Sequence, residues 1–537
     1  MGDAGNRADV LSTTALLNCL IREVAGPGTD EASGHLVCRL PATGRLLRVR
    51  AGRHPCEPCV RVDDDWLPLS FAGLVALTAD ELGRHTGIPN NTLATEITDS
   101  RDVIAALLDA RAFAQPPQDL YLRSEQALVA GHRYHPAPKA RGGGSPQRWL
   151  PYAPEAYARF SLALLGVRAD LVAEDGDPSA LSCLGTPPDG YRLLPAHPWQ
   201  LGLLGDLPAF HDGRLLRLGD SSIPAVPTSS VRTVYLPERD LFCKFSLDVR
   251  ITNDIRRLWL RDLRWLRVID ELLATVFDDL SRDLQAAVLA DRGYRTVDPD
   301  SRDAFEALAV IVRDGLLTHL RPGLTPVLAA GVSEGFAGNP LDGTTPERAL
   351  LWWQHYLDNV VPPVLHAFLR HGVVLECHLQ NVLVCVNEAG MPAQAIFRDH
   401  EGVKLVAERH HDLLGRLGAS TSAPAVSAAG GWERLTYCLV TNNLCEIAGA
   451  ITDRHPELAD ELWPRARSVF ADHAADNGDP PEIRALLTAP HIPTKGNLLL
   501  RWLDADGASS RYIPLANPLC EVTHRHRGSH MVTATPR

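Results

Sequence analysis

Apolar residues recur at intervals of three and four at Ile255, Leu258, Trp259, Leu263, Leu266, Ile269, Leu272 and Leu273, a period that predicts a long helix over 255–289 opened by an Asn253-Asp254 cap. Over 193–251 the apolar runs are short and punctuated by Pro195, Pro198, Pro224, Pro227 and Pro237, which reads as a sheet region. The first ~115 residues alternate helical patterns with short strands such as 60–67, and the C-terminal half reads mostly as helix. Within that half, 373–375, 382–386 and 395–397 are β-rich runs, and 387–390 supplies the turn of a hairpin. The three glycines at 142–144 read as a loop and 418–431 as a low-complexity stretch; no internal repeat is visible.

Polar residues break these runs where burial is costly. ECHLQN at 376–381 places Glu376, His378, Gln380 and Asn381 just before one strand of the hairpin, and Arg398-Asp399 follows the other. Extended backbone at 376–381 would put Glu376, His378 and Gln380 on one face. Magnesium favours carboxylate oxygens and bridges phosphates, so Glu376 and Asp399 are the candidate metal ligands for an ATP–Mg²⁺ site. The bland alternative is an exposed Arg398–Asp399 pair with His378 satisfied in the core.

A second polar set, Ser230, Arg232, Thr233, Lys244 and Arg256, lies on a predicted hairpin over 230–256. If the connection places Leu236 opposite Asp240, Arg232 and Lys244 share a face, whereas an even loop separates them. Arg256 is expected in the first turn of the following helix, where unpaired N–H groups favour anions. Together these groups describe a triphosphate cradle; the alternative is an amphipathic hairpin with its basic residues in solvent. Neither GxxxxGK[ST] nor a convincing GxGxxG is present. GHRYHPAPK at 131–139 offers His132, His135 and Lys139 as anion contacts, and HPWQ at 197–200 offers Trp199, read as a packing anchor.

The 537 residues predict two or three domains. A net charge of −12 argues against nucleic acid as partner. No apolar run of about 18 residues and no signal-peptide pattern is seen, so a cytoplasmic protein with no membrane partner is expected. Eleven scattered cysteines, of which Cys56 and Cys59 are the one close pair, fit a reducing compartment.

In the order GHRYHPAPK, HPWQ, SSVRT, Lys244 with Arg256, ECHLQN, RDHEG and Lys495-Gly-Asn, the chain from about residue 120 onward resembles the siderophore synthetases that work without a nonribosomal peptide template, the aerobactin synthetase family. Arg133 stands where that family commonly carries proline. The resemblance implies an α+β cupped hand: a thumb over 1–115, fingers with the phosphate-binding hairpin over 116–290, and a largely helical palm over 291–537. It implies nucleotide contacts at Ser230, Arg232, Thr233, Lys244, Arg256, His378, Gln380 and Asn381, with Arg256, His378 and Lys244 catalytic. Glu376 and Asp399 lie near the metal, and Arg321, Arg434 and Lys495 are further candidates for holding a polycarboxylate.

The implied reaction adenylates a carboxylate, citrate preferred, and couples it to an amine or amino alcohol. Phosphate charge is then neutralised by Mg²⁺, Arg232, Lys244 and Arg256 without a covalent nucleophile. Two other readings stay open: a kinase-like phosphotransferase, against which stands neutral Gln380 near the position of the expected base, and a non-catalytic polycarboxylate binder. A homodimer is the base-rate expectation.

Overall fold

A computed structural model of the protein describes residues 2–30, 33–142, 145–251, 254–280, 284–297, 302–416, 423–505 and 512–521. Helices and strands are mixed along the chain, an α+β arrangement around three main sheets. The first is a five-stranded meander from Thr29–Asp30 to Asp65–Pro68, which packs Cys38, Leu47 and Val49 against helices Gly2–Glu23 and Phe71–Thr86. The strand expected over 60–67 doubles back instead: Asp63 takes a φ of 51° and Val60 pairs with Leu67 across a hairpin.

The second sheet has eight antiparallel strands, in the order Val172–Gly176, Asp291–Val297, Val310–Asp314, Leu241–Phe245, Thr233–Leu236, Leu215–Pro227, Phe160–Arg168 and Tyr191–Ala196. It draws two strands from beyond residue 290, so the boundary expected there falls inside one sheet. The third sheet sets Val382–Val386 between Thr325–Leu328 and Pro392–Phe397, with Ala286–Val288 added in parallel at the edge. The expected hairpin is therefore present, and its outer face packs on helix Pro346–His371 in the largest core.

The long helix expected over 255–289 is broken. Asp254–Ile255 pairs as a strand with Arg250–Ile251, and helices run only over Leu260–Leu263 and Leu266–Asp278. The Arg256 N–H donates to Val249 O and the Leu247 N–H to Arg256 O, so ribbon pairing takes the backbone groups a helix would need. The apolar period still marks the buried side, since Leu258, Leu263, Leu266, Ile269 and Leu273 are all buried. The cap residue Asn253, two of the three loop glycines (143 and 144) and 418–422 of the low-complexity stretch lie outside the described residues.

Strand parity explains how the second and third sheets meet. Tyr235 and Phe242 point from one sheet, with ring centroids 4.5 Å apart, and Leu383, Cys385 and Ile396 point from the other into a shared core closed by Tyr121 and Leu328. Fully burying such side chains is worth about 1.5–3 kcal/mol each, enough to fix which faces oppose. The alternate residues Val234 and Cys243, or Val384 and Ala395, go to separate cores behind each sheet.

Candidate active site

At one end of that shared core the same alternation delivers charge. Thr233 and Lys244 are cross-strand partners on the face of Tyr235 and Phe242, and Arg313 lies opposite Phe242 on the next strand. From the facing sheet, Asn381 precedes Val382 and Arg398 follows Phe397, with the Arg398 N–H donating to Asn381 O at 3.1 Å. Thr228, Ser229, Ser230, Arg232, Ile251, Arg256, Gln380 and Asp399 complete the lining of one cleft. The two hairpins singled out from the sequence thus face each other across a single space.

Arg232 reaches the cleft by a route that strand parity alone does not give. The loop between Leu236 and Leu241 holds four residues, an even number, which should put Arg232 on the face opposite Lys244. Both nevertheless pair with the same Glu401 oxygen, Arg232 at 2.7 Å. Arg232 lies in a turn before the strand, where Val231 has a φ of 67° and Ser230 Oγ accepts from Thr233 N at 3.2 Å, so the regular alternation is broken. A β-branched residue with positive φ is costly, about 1–3 kcal/mol, whereas Asp399, with a φ of 83°, is of a type that enters this region more readily.

The cleft's cations are matched by carboxylates. Lys244 pairs with Asp399 and Glu401, and Arg313 with Asp291 at 2.5 Å and Asp399 at 3.4 Å. Arg398 pairs with Glu125 at 2.5 Å, and Glu125 also accepts from Ser229 N at 3.0 Å. Burial would raise the Asp399 carboxyl, but Lys244, Arg313 and Arg232 outweigh it and hold the group well below the usual range. Asp291 and Glu125 stay ionised in the same way beside Arg313 and Arg398. Arg313, Glu401, Glu125 and Asp291 were not singled out from the sequence. Arg313 left a trace there as a charge closing the apolar run 309–312, and Glu401 as a member of the RDHEG motif.

Segment 376–381 is not an extended strand. Only Val373–Val374 is strand, Leu379–Asn381 is a 3₁₀ turn, and the Asn381 Nδ2 donates back to Glu376 O at 3.0 Å. The expected shared face of Glu376, His378 and Gln380 is therefore absent, because the Asn381 side chain closes a turn. Gln380 donates to Ser229 Oγ across the cleft at 3.3 Å. Glu376 pairs instead with Arg434 at 2.8 Å, and the carboxylate that shares Lys244 with Asp399 is Glu401. Gly402 is required here: a Cβ would come within 1.5 Å of Glu376 Oε2.

His378 continues the cleft toward a second polar patch. Its Nε2 is 3.3 Å from Asn381 Nδ2, and burial lowers its pKa against the pull of Glu376 and Asp399. His132 is lowered to about 4, chiefly by burial, with His378 and Lys495 both near enough to contribute. Lys495 sits 5.3 Å from the Tyr437 ring centroid, at the start of a π-helix, Tyr437–Leu444, whose Asn443 Nδ2 holds Cys377 O at 2.9 Å. Glu376, His378, His132, Arg434 and Lys495 therefore form one neighbourhood.

Other candidates fall elsewhere. Lys139 is buried against Glu155, His135 Nδ1 accepts from Ala137 N at 3.1 Å within its own turn, and Arg321 is exposed with its backbone N–H on Gln394 at 3.0 Å. Arg256 is not in a helical first turn, yet it reaches the cleft from the extended ribbon. Trp199 packs beside Tyr152 and Trp149. All eleven cysteines are free. Arg133 donates to Glu446 at 3.1 Å, a tie a proline could not make.

Comparison with known proteins agrees with this geometry. The profile of the IucA / IucC family matches residues 120–334, which include the cleft residues from Thr228 to Arg313. RhbC, the rhizobactin siderophore biosynthesis protein of Rhizobium meliloti, is 28% identical over 96% of this chain and 98% of its own. Residues 120–334 are thus similar to that family, and the chain along nearly its whole length is similar to a siderophore biosynthesis protein. The L-2,3-diaminopropanoate–citrate ligase of Staphylococcus aureus is 29% identical over 75% of each chain. The fold matches ATP-bound aerobactin synthetase IucA of Klebsiella pneumoniae with a TM-score of 0.83 and 21% identity, over 95% of this chain and 99% of that one.

A second profile, described as ferric iron reductase FhuF-like transporter, matches residues 350–510. No helix among the described residues is long and apolar enough to cross a membrane.

Proposed function

We propose that the protein is an ATP-dependent ligase that adenylates a citrate-like carboxylate and passes the acyl group to an amine or amino alcohol, releasing AMP and pyrophosphate. The observation that carries this reading is the convergence of Arg232, Lys244, Arg256 and Arg313 with Asp399 in one cleft bordered by the polar turn 378–381. Ser230, Arg232, Thr233, Lys244, Arg256, Gln380 and Asn381 would hold the phosphates, with Arg313 beside them. Asp399 and Glu401 suit Mg²⁺ better than Glu376 does, because their oxygens already share one cation, whereas Glu376 is committed to Arg434. When bound, the metal supplies charge neutralisation at the phosphate oxygens.

The chain's own groups account for the remaining work. A carboxylate oxygen attacks the α-phosphorus, the α–β phosphoanhydride bond breaks, and the leaving pyrophosphate is stabilised by Arg232, Lys244 and Arg256. Arg434, Lys495 and His132 would orient the polycarboxylate next to His378. The acceptor nitrogen then attacks the acyl carbon, the bond to AMP breaks, and the released proton passes to His378, which burial keeps neutral.

Pyrophosphate release measured over a panel of carboxylic acids, first without and then with diamines and amino alcohols, tests the proposal. Citrate-dependent pyrophosphate with AMP is expected. ADP as the sole nucleotide product would make the protein a phosphotransferase, and citrate binding without ATP turnover would leave only a binder.

A further inference from the structure

Away from the cleft, two helices end against each other. Asp279 caps helix Leu266–Asp278, and His366 and His371 lie in the last turns of helix Pro346–His371. Asp279 Oδ2 is 2.9 Å from His371 Nε2 and 3.4 Å from His366 Nε2, and the two imidazole centroids are 5.1 Å apart. Ligands about 2.0–2.1 Å from a tetrahedral zinc ion lie about 3.4 Å from one another, so the two carboxylate–imidazole separations are near that edge length, and all three ligand atoms lie within 4.8 Å of one another. Among the described residues this is the one cluster of three metal-capable groups.

A second observation points the same way. His366 Nε2 is buried and faces Asp279 Oδ2 at a long 3.4 Å, outside good hydrogen-bond geometry, and Nε2 of His473, whose ring is close enough to His366 to feel its charge, is buried with no hydrogen-bond partner. Buried imidazole nitrogens are normally well hydrogen-bonded, so a weakly held His366 Nε2 has a lone pair to offer a cation. His371 is held from behind, its carbonyl accepting from His410 Nε2 at 2.8 Å. Arg370 Nε lies 3.6 Å from Asp279 and opposes a cation, but its side chain is 71% exposed and can swing into water.

We propose that Asp279, His366 and His371 form a binding site for a divalent transition-metal ion of the zinc class, with open positions left to water. The site joins the ends of two helices whose chains continue into the strands Ala286–Val288 and Val373–Val374, the latter leading to Glu376. It is independent of the nucleotide cleft.

Cobalt(II) titration of the chelator-treated full-length protein tests the site, followed by visible absorption and by the melting temperature. One equivalent per chain is expected, with a d–d spectrum lacking a cobalt–thiolate charge-transfer band, displaced by zinc and accompanied by a higher melting temperature. His366→Gln/His371→Gln should weaken binding at least a hundredfold while leaving pyrophosphate release unchanged. Asp279→Asn decides the matter if the double variant does not fold. Saturable binding undiminished in these variants, thiolate bands tracing the metal to Cys56 and Cys59, or no stoichiometric binding would each overturn the assignment.

Discussion

Lys139 and Lys244 are both buried and both ion-paired, yet only the second borders open space. Lys139 meets Glu155 in a packed interior where the side chains are 6% and 1% exposed, and Arg141 closes the set at 3.7 Å. Lys244 is 2% exposed, but its partners Asp399 and Glu401 are 26% and 14% exposed and line or adjoin the cleft. The same charge pair is thus a structural bolt in one place and an exchangeable contact in the other. What distinguishes them is whether a ligand can reach the acid partner and take over its cation.

The largest effect that would break this comparison is catalytic. Arg256→Ala and Asp399→Asn should each lower pyrophosphate release on the order of 10³-fold, with the circular dichroism spectrum unchanged. Normal turnover in either variant would remove that residue from the cleft's chemistry. Next comes stability. Lys139→Met leaves Glu155 as an under-compensated buried carboxylate and should cost about 3–5 kcal/mol in chemical denaturation. The folded fraction should retain its KM for ATP; a selective rise in that KM would put Lys139 back among the substrate contacts.

Lys244→Ala should behave in the opposite sense. Arg232 and Arg313 remain to compensate Glu401 and Asp399, so the fold persists while the KM for ATP rises about tenfold, near 1.4 kcal/mol. A large stability loss with unaltered KM would make the two lysines equivalent after all.

These contrasts also mark how much of the molecule could be read from its sequence. The hairpin 382–397 was legible because β-rich runs flank a turn, and the convergence of Lys244, Thr233, Asn381 and Arg398 follows from strand parity once the two sheets face each other, whereas Asp399 turns in through its positive φ. The position of Arg232 was not, because it depends on a left-handed Val231 that no periodicity encodes. Nor was the choice of Glu401 over Glu376, since Arg434 reaches Glu376 from 58 residues away. Lys139 looked like an anion contact for the same reason: Glu155 approaches it through the packing of a 3₁₀ turn that the sequence pattern does not announce. The 255–289 helix failed where local ribbon pairing outcompeted a correct apolar period.

The smallest effect concerns acid. Glu446 and Asp453 tie the loop carrying Arg53 and His54, next to the N-terminal sheet, to helix Cys445–Thr452 and the residue that caps it. Burial raises both carboxyls, but Arg133 and Arg53 around Glu446, and His54 and Arg53 around Asp453, hold each at about 2. Folded values below the unfolded ones of 4.5 and 3.8 mean that this stabilisation is complete above about pH 4.5 and is lost as pH falls toward 2. Their share of the melting temperature, read as the difference between the wild type and Arg53→Leu, should therefore be level from pH 7 to 5 and decline progressively below that, on top of the opposite slope of Glu23 and Asp270, which burial raises to about 8 and about 7. Arg53→Leu should lower the plateau and flatten the decline, because the carboxyls then titrate nearer their unfolded values. An equally steep acid limb in Arg53→Leu would place the responsible carboxylates elsewhere, with Glu155 beside Lys139 the next to test.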